Sequence, residues 1–300
     1  MRILVSGSTG LVGTALIPKL AREGHDVVRL VRSQSAGPSK DTIAWDPNAR
    51  FVDAAGLEGL DAVIHLAGEP IAGGRWTARR KARIRESRVQ GTRLLCEAFS
   101  HTARPPSRFL CASAIGYYGN RGDEVLTEAS TSGDGFLADV CREWEAAADP
   151  LRQKGIRVVN LRFGVILSAR GGALAKMLTP FKLGVAGIVG SGRQYMSCIA
   201  LDDCVAAIQH AVATDSVQGP VNVVGPVPVT NSEFTKTLGR VLGRPTVLPM
   251  PAFAARLAFG EMADELLLAS TRVEPRKLQE SGFQFRHAGL EDALRSALAQ

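Results

Sequence analysis

The chain has 300 residues, 45% of them hydrophobic and 22% charged, ordinary values for a folded globular protein with a sizeable core. No stretch approaches the roughly 20 apolar residues that cross a bilayer, and the opening MRILVSGSTG breaks at glycine too early for a signal peptide, so a cytoplasmic protein with no membrane partner is expected. Five scattered cysteines (Cys96, Cys111, Cys141, Cys198 and Cys204) form no C-x-x-C pair, which argues against a disulfide framework and a zinc site, and no metal is expected.

Residues 2–6 read as a strand, 11–23 as a helix closed by Gly24, and 27–31 as a second strand. Short strands follow at 42–45 and 62–66. A basic segment then runs as a helix to about residue 100. It holds Arg75, Arg79, Arg80, Lys81, Arg83, Arg85, Arg88 and Arg93 against one acid, Glu86, a surplus equal to the net charge of +7 of the whole chain. Such a segment is either a solvated helix face or a seat for an anionic partner. A fifth strand is expected at 108–112, a helix at 136–148 that ends or kinks before Pro150, and a sixth strand at 158–162.

After Gly164 the pattern loosens into a glycine-punctuated stretch. A helix at 201–213 and a strand at 221–224 then return to the main sheet. Helices near Thr230 and Ala252 and a last unit over 274–298 make a smaller C-terminal part. Apolar strands alternating with helices predict an α/β fold, a Rossmann-type doubly wound parallel sheet with a smaller, mostly helical C-terminal part. The domains expected are 1–225, with a loop-rich substrate-side insertion at 167–200, and 226–300.

Gly7, Gly10 and Gly13 are spaced G-x-x-G-x-x-G between a strand and a helix, with a second strand within about 30 residues. Gly7 permits a sharp turn off the strand, Gly10 clears room for a pyrophosphate, and Gly13 lets the helix pack close to the sheet. Free N–H groups at the helix start then face the anion. The second strand ends Leu30-Val31-Arg32-Ser33, with no acid for a ribose 2′-hydroxyl. Arg32 and Ser33 suit a 2′-phosphate instead, so NADP(H) is expected over NAD; Arg29, of opposite parity to Leu30, is expected on a surface.

With Asp61-Ala62-Val63-Ile64-His65-Leu66-Ala67-Gly68 the chain resembles the extended short-chain dehydrogenase/reductase superfamily, epimerase/dehydratase type. The runs Leu66-Ala67-Gly68-Glu69-Pro70-Ile71, Cys111-Ala112-Ser113-Ala114-Ile115-Gly116-Tyr117-Tyr118-Gly119 and Phe136-Leu137-Ala138-Asp139-Val140-Cys141-Arg142-Glu143-Trp144-Glu145 resemble an atypical branch, the "epimerase family proteins". Leu268-Ala269-Ser270-Thr271-Arg272-Val273-Glu274-Pro275 and Gly282-Phe283-Gln284-Phe285-Arg286 are similar to that branch's C-terminal domain. The resemblance implies that Gly7, Ser8, Thr9, Gly10, Leu11, Val12 and Gly13 hold pyrophosphate, and Arg32 and Ser33 the 2′-phosphate. It also implies that Leu66, Ala67 and Gly68 line the path to the riboses, that Ser113 stands beside the nicotinamide, and that Phe163, Gly164 and Val165 close that end.

The parent family uses a tyrosine and, four residues later on the same helix face, a lysine that lowers the phenol's pKa. Four residues after Tyr117, Tyr118 and Tyr195 stand Arg121, Gly122 and Ile199. Aligned on Glu145, the positions of the pair hold Leu137 and Cys141. Tyr117 or Tyr118, just beyond Ser113, is the candidate substitute acid, with Arg121 able to lower a phenol's pKa. Cys141 reads as a buried thiol rather than a nucleophile. Glu69 borders the cleft, and His65 reads as a satisfied core residue. Ser191, Gly192, Arg193, Gln194 and Ser197 resemble a substrate loop, and Asp202 or Asp203 reads as the next helix's N-cap.

Two functions remain open on these residues: an NADP(H)-dependent oxidoreductase or epimerase-like enzyme on a small molecule, or an NADP(H)-binding regulator or redox sensor without turnover. Nucleic-acid binding is disfavoured, since Trp76 is the basic segment's lone aromatic. A homodimer through helices near 85–100 and 136–149 is expected by analogy.

Overall fold

A computed structural model describes residues 1–32 and 41–299. In chain order the first half comprises β1 (Arg2–Ser6), α1 (Leu11–Arg22), β2 (Asp26–Arg32), β3 (Thr42–Asp46), β4 (Phe51–Val52), β5 (Ala62–His65), α2 (Ala78–Ser100), β6 (Arg108–Ala114), β7 (Val125–Leu126), α3 (Phe136–Ala146), α4 (Asp149–Gln153) and β8 (Arg157–Phe163). The second half comprises β9 (Val165–Leu167), α5 (Gly172–Lys182), β10 (Tyr195–Met196), β11 (Cys198–Ala200), α6 (Leu201–Ala213), β12 (Gly219–Val223), β13 (Val229–Thr230), α7 (Asn231–Leu242), α8 (Ala252–Phe259), β14 (Arg272–Val273), α9 (Arg276–Glu280) and α10 (Leu290–Ala299).

Eight strands form one sheet in the order β12-β8-β6-β5-β1-β2-β3-β4, parallel throughout except for the antiparallel edge strand β4. The chain winds outward from β1 in both directions, so the strand order reverses between β1 and β5. Ligands of doubly wound sheets bind in the crevice outside the strand ends at such a switch point. Ile3, Val5, Ile64, Leu110, Val159 and Leu161 pack on one face under α1 and α6, while Leu4, Val63, Phe109, Cys111 and Val158 pack on the other under α2, α3 and α4. This two-sided burial is why the central strands read as near-continuous apolar runs.

Local signals worked where they were chemically specific. His25 N–H donates to the Leu20 carbonyl and Gly24 N–H to that of Ala21, a Schellman end with Gly24 at φ +80°. Thr230 and Glu233 form a reciprocal capping box at the start of α7. α3 ends at Ala146, before Pro150 as expected, and Pro150 stands in the first turn of a further short helix, α4. The short strands β4, β7, β9, β10, β11, β13 and β14 carried no sequence signal, being two or three residues long.

The C-terminal part is mostly helical and shares a core with the segment after β8. Leu174, Leu178 and Phe181 of α5 pack with Phe234 and Leu238 of α7 and Ala293, Leu294 and Ala297 of α10. Leu278 and Phe283 join the core beneath α1 and α6.

Candidate active site

The glycine turn after β1 lies at the switch point, and its three glycines meet different constraints. Gly7 has φ +67°, and a Cβ there would lie 2.8 Å from the Leu66 carbonyl carbon. A Cβ on Gly13 would lie 2.3 Å from the Gly7 carbonyl oxygen, so α1 approaches the turn as closely as backbone permits. Gly10 is exposed, and its Cβ would meet just that same oxygen, at 3.2 Å. The first two glycines are therefore demanded by the fold, while the third leaves open space over the helix start. Gly10 brings no capping side chain and the first turn of α1 holds no acid, so its amide groups and positive dipole end are left for an external anion. Ser8 is buried and Thr9 exposed.

The end of β5 is fixed by Ser6, which the sequence reading missed. Its Oγ accepts the Leu66 and Ala67 N–H groups at 3.0 and 3.2 Å, so its own proton points to His65 Nδ1, 2.6 Å away. That leaves the proton of the imidazole on Nε2, which is buried without a partner among the described residues. Burial pushes the His65 pKa down to about 4, keeping the ring neutral. His65 was expected to be satisfied; it is satisfied on one nitrogen.

Gly68 faces Arg88, whose guanidinium carbon would be 3.3 Å from a Cβ at Gly68. Arg88 Nη1 donates to the Glu69 and Ile84 carbonyls, and its guanidinium lies 5.0 Å from the Trp144 ring centre. No carboxylate among the described residues comes within salt-bridge distance of it. Burial lowers its pKa, with charge from Cys141 and Glu69 acting the other way. A cation held at the cleft wall without a counter-ion is costly unless a ligand compensates it. Among so many arginines, nothing in the sequence distinguished Arg88. Four of its neighbours reach acids on other elements: Arg80 and Arg83 to Glu69, Lys81 to Glu261, and Arg85 to Glu143.

Arg32 is exposed at the end of β2, and Arg29 is exposed as parity predicted. Ser33, its expected companion on a 2′-phosphate, lies outside the described residues. At the far end of the cleft, a Cβ at Gly164 would lie 2.4 Å from the Ser197 carbonyl oxygen, to which Val165 N–H donates at 2.9 Å. The Phe163-Gly164-Val165 corner is thereby locked against β11.

Ser113 ends β6, 2% exposed, and its Oγ donates to Glu145 Oε1 at 2.7 Å. Glu145 is clamped by Arg162 through two 2.8 Å bonds, from Nε to Oε1 and from Nη2 to Oε2. Arg162 Nη1 donates to the Tyr118 hydroxyl at 2.9 Å, and that hydroxyl is 2.7 Å from Asn222 Oδ1 and 3.0 Å from the Thr127 carbonyl. Burial works against the Arg162 charge, but its hydrogen bonds and charge interaction with Glu145, and those with Tyr118, outweigh it and raise the pKa.

Tyr118 is fully buried in this network, and burial pushes its pKa up to about 12. The candidacy of Tyr118 as the substitute acid is corrected: its hydroxyl is saturated by protein groups and buried. Tyr117 differs. It is half-buried, its ring lies 3.5 Å under the Arg162 guanidinium, and its hydroxyl has no protein partner among the described residues. It walls an open cavity of about 320 Å³ with Arg142, Glu145, Asn160 and Arg162. Arg121, expected as a helper, is instead paired with Glu124.

Leu137 packs against Gly116, and Cys141 is buried with its thiol pushed up to about 11 by burial, so neither supplies an acid near neutral pH. The N-cap expectation for Asp202 or Asp203 is also corrected. The N-cap of α6 is Ala200; Asp202 pairs with Lys19, and buried Asp203 accepts the Arg286 and His287 N–H groups at 2.9 Å. Gln194 Nε2 holds the Val189 and Leu267 carbonyls, tying the substrate-side loop to the C-terminal part.

The whole chain is similar to known proteins. The model of the NAD dependent epimerase/dehydratase family matches residues 3–225, and a domain of unknown function matches 250–297. The chain is 44% identical to the epimerase family protein Mb2239 of Mycobacterium bovis, over 97% of this chain and 96% of the relative. It matches the crystal structure of human epimerase family protein SDR39U1 with NADPH at 35% identity and a TM-score of 0.90, covering 100% and 99% of the two chains. A structure of the nucleoside-diphosphate sugar epimerase from Corynebacterium glutamicum matches at 37% identity and a TM-score of 0.82, over 99% of this chain and 58% of that one. The chain thus belongs to the NAD dependent epimerase/dehydratase family.

Proposed function

We propose that the chain binds NADP(H) in the switch-point cleft and acts as an oxidoreductase or epimerase-like enzyme on a small molecule. The observation that carries the reading is the glycine turn, where backbone demands Gly7 and Gly13 but leaves Gly10 open above unpaired amides. The residues present fit the cofactor: the start of α1 for pyrophosphate, Arg32 for the 2′-phosphate, and Leu66, Ala67 and Gly68 for the riboses. Arg88 beside Gly68 supplies a cation there, which the absent lysine does not. The human relative's NADPH supports the same assignment. When bound, the nicotinamide supplies or takes a hydride. The protein's part is to orient it through Phe163, Gly164 and Val165 and to move a proton. Tyr117 is the candidate for that proton, since its ring lies against the Arg162 guanidinium at the wall of an open cavity and its hydroxyl has no protein partner among the described residues. Ser113 and Glu145 position the end of β6 beneath it.

Titration with both dinucleotides tests the binding. Arg32→Ala weakens NADPH by about tenfold or more while leaving NADH nearly unchanged, the signature of a lost charge-assisted phosphate contact. Arg88→Met weakens both. Equal loss for the two cofactors in Arg32→Ala removes the 2′-phosphate assignment.

A second reading, a binding regulator without turnover, draws on the buried Leu137 and Cys141 where the tyrosine–lysine pair would stand. NADPH oxidation against a panel of carbonyl compounds separates the two. With turnover, Tyr117→Phe is expected to slow it by about a hundredfold and Tyr118→Phe far less. An unchanged rate in Tyr117→Phe excludes that phenol as the acid.

A further inference from the structure

Seven of the eleven large apolar residues exposed among the described residues fall in two segments: Leu183 and Val185 in one, and Val247, Leu248, Met250, Phe253 and Leu257 in the other. The segments run side by side. Val189 bridges Met250, the Gly190 and Met250 N–H groups donate across the pair, and Gly184 faces Pro245. Together they present one apolar patch, with Val247 73% exposed, Phe253 72% and Leu257 77%. In α8 the usual order is inverted: small Ala255 is buried while Phe253 and Leu257, one turn apart, face outward with Arg256. An outward apolar cluster on this scale marks an interaction surface.

Charge indicates the occupant. Residues 179–190 and 240–260 hold Lys182, Arg240, Arg244 and Arg256 and no acid. Arg240 and Arg256 each reach an acid from elsewhere, Glu291 and Asp264, whereas Lys182 and Arg244 are exposed without an ion-pair partner among the described residues. The same rim continues to the basic end of α2. The Arg75 guanidinium would lie 3.6 Å from a Cβ at Gly260, Lys81 pairs with Glu261, and exposed Arg79 follows. A second copy docked here would bring two basic rims together. An anionic lipid surface answers both features, taking the apolar side chains below its headgroups and the bases among them.

We infer that the patch formed by residues 183–189 and 245–257 attaches the protein reversibly to an anionic lipid surface. The chain lies on the bilayer rather than across it; no helix among the described residues is long and apolar enough to span one. The proposal departs from the expectation of no membrane partner, which rested on the absence of a spanning segment.

Co-sedimentation of the whole chain with phosphatidylcholine vesicles, with and without about 30% phosphatidylglycerol, tests the inference. Binding is expected for the anionic vesicles and should fall at least about tenfold at high salt. Phe253→Ser/Leu257→Ser should lose about tenfold or more, as should Lys182→Glu/Arg244→Glu, with folding unchanged because all four side chains are exposed and NADPH affinity unchanged because none is among the residues assigned to the cofactor. Three results would overturn the inference. One is no preference for anionic vesicles. Another is wild-type binding by Phe253→Ser/Leu257→Ser. The third is a lipid-free dimer that this variant converts to monomer, which would assign the patch to a second copy.

Discussion

Gly10→Val is expected to fold normally and lose NADPH and NADH together, by a hundredfold or more (about 3 kcal/mol). Gly13→Ala is expected to fail earlier, in stability. The contrast follows from what each new side chain meets. At Gly13 a Cβ would lie 2.3 Å from one backbone carbonyl oxygen and 2.9 Å from the Ser8 Cα, and neither can rotate away. Helix and turn must separate, at a cost of about 3 kcal/mol, or roughly 5–10 °C in melting temperature for a chain of this size. Gly10 has φ −78° and ψ 171°, which any residue adopts, and its Cβ meets a single atom at 3.2 Å. Valine there projects into the space where a pyrophosphate meets the α1 amides. Thermal melts and fluorescence titrations of the two variants check this. A Gly10→Val protein that keeps its dinucleotide affinity removes the pyrophosphate from this turn, and with it the proposed function.

The second large effect is expected in stability rather than in dinucleotide affinity. Glu145→Ala leaves Arg162, 3% exposed at its side chain, with a buried charge and no carboxylate, and should cost about 3–5 kcal/mol. Ser113 and Tyr118 lose order with it, because both hydroxyls bond into the same pair. Glu145→Leu/Arg162→Met should recover much of the loss, since removing both charges leaves neither stranded. Urea melts of the two singles and the double give the coupling directly. If the double variant is destabilised by the sum of the singles, the pair is not the unit the geometry describes. If Glu145→Ala costs less than about 1 kcal/mol, water reaches Arg162 and the network is not buried in solution.

Near-continuous apolar runs and glycine spacing made much of this molecule legible from residues alone. The alternation of strands and helices, the turn at Gly7, Gly10 and Gly13, the Gly24 helix end and the exposure of Arg29 all follow from interactions spanning a few residues. The spacing itself encodes them. The lack of a Tyr-x-x-x-Lys pair was equally plain in the sequence.

What the tertiary structure decided was partnership. Tyr117 and Tyr118 are neighbours of one type, and the sequence could not choose between them. Asn222, 104 residues away, and Arg162, 44 away, saturate the Tyr118 hydroxyl, while that of Tyr117 has no partner among the described residues. Arg88 was one base among eight until folding placed it against Gly68. Asp203 read as a helix cap until it met the backbone of Arg286 and His287. Phe253 and Leu257 had a helical spacing that ordinarily faces a core, and here they face out. For the tyrosines, Arg88 and Asp203, the deciding contact joins residues from different elements of the chain. The residue type states which bonds are possible, and only the packing of the sheet, its helices and the C-terminal part determines which are made.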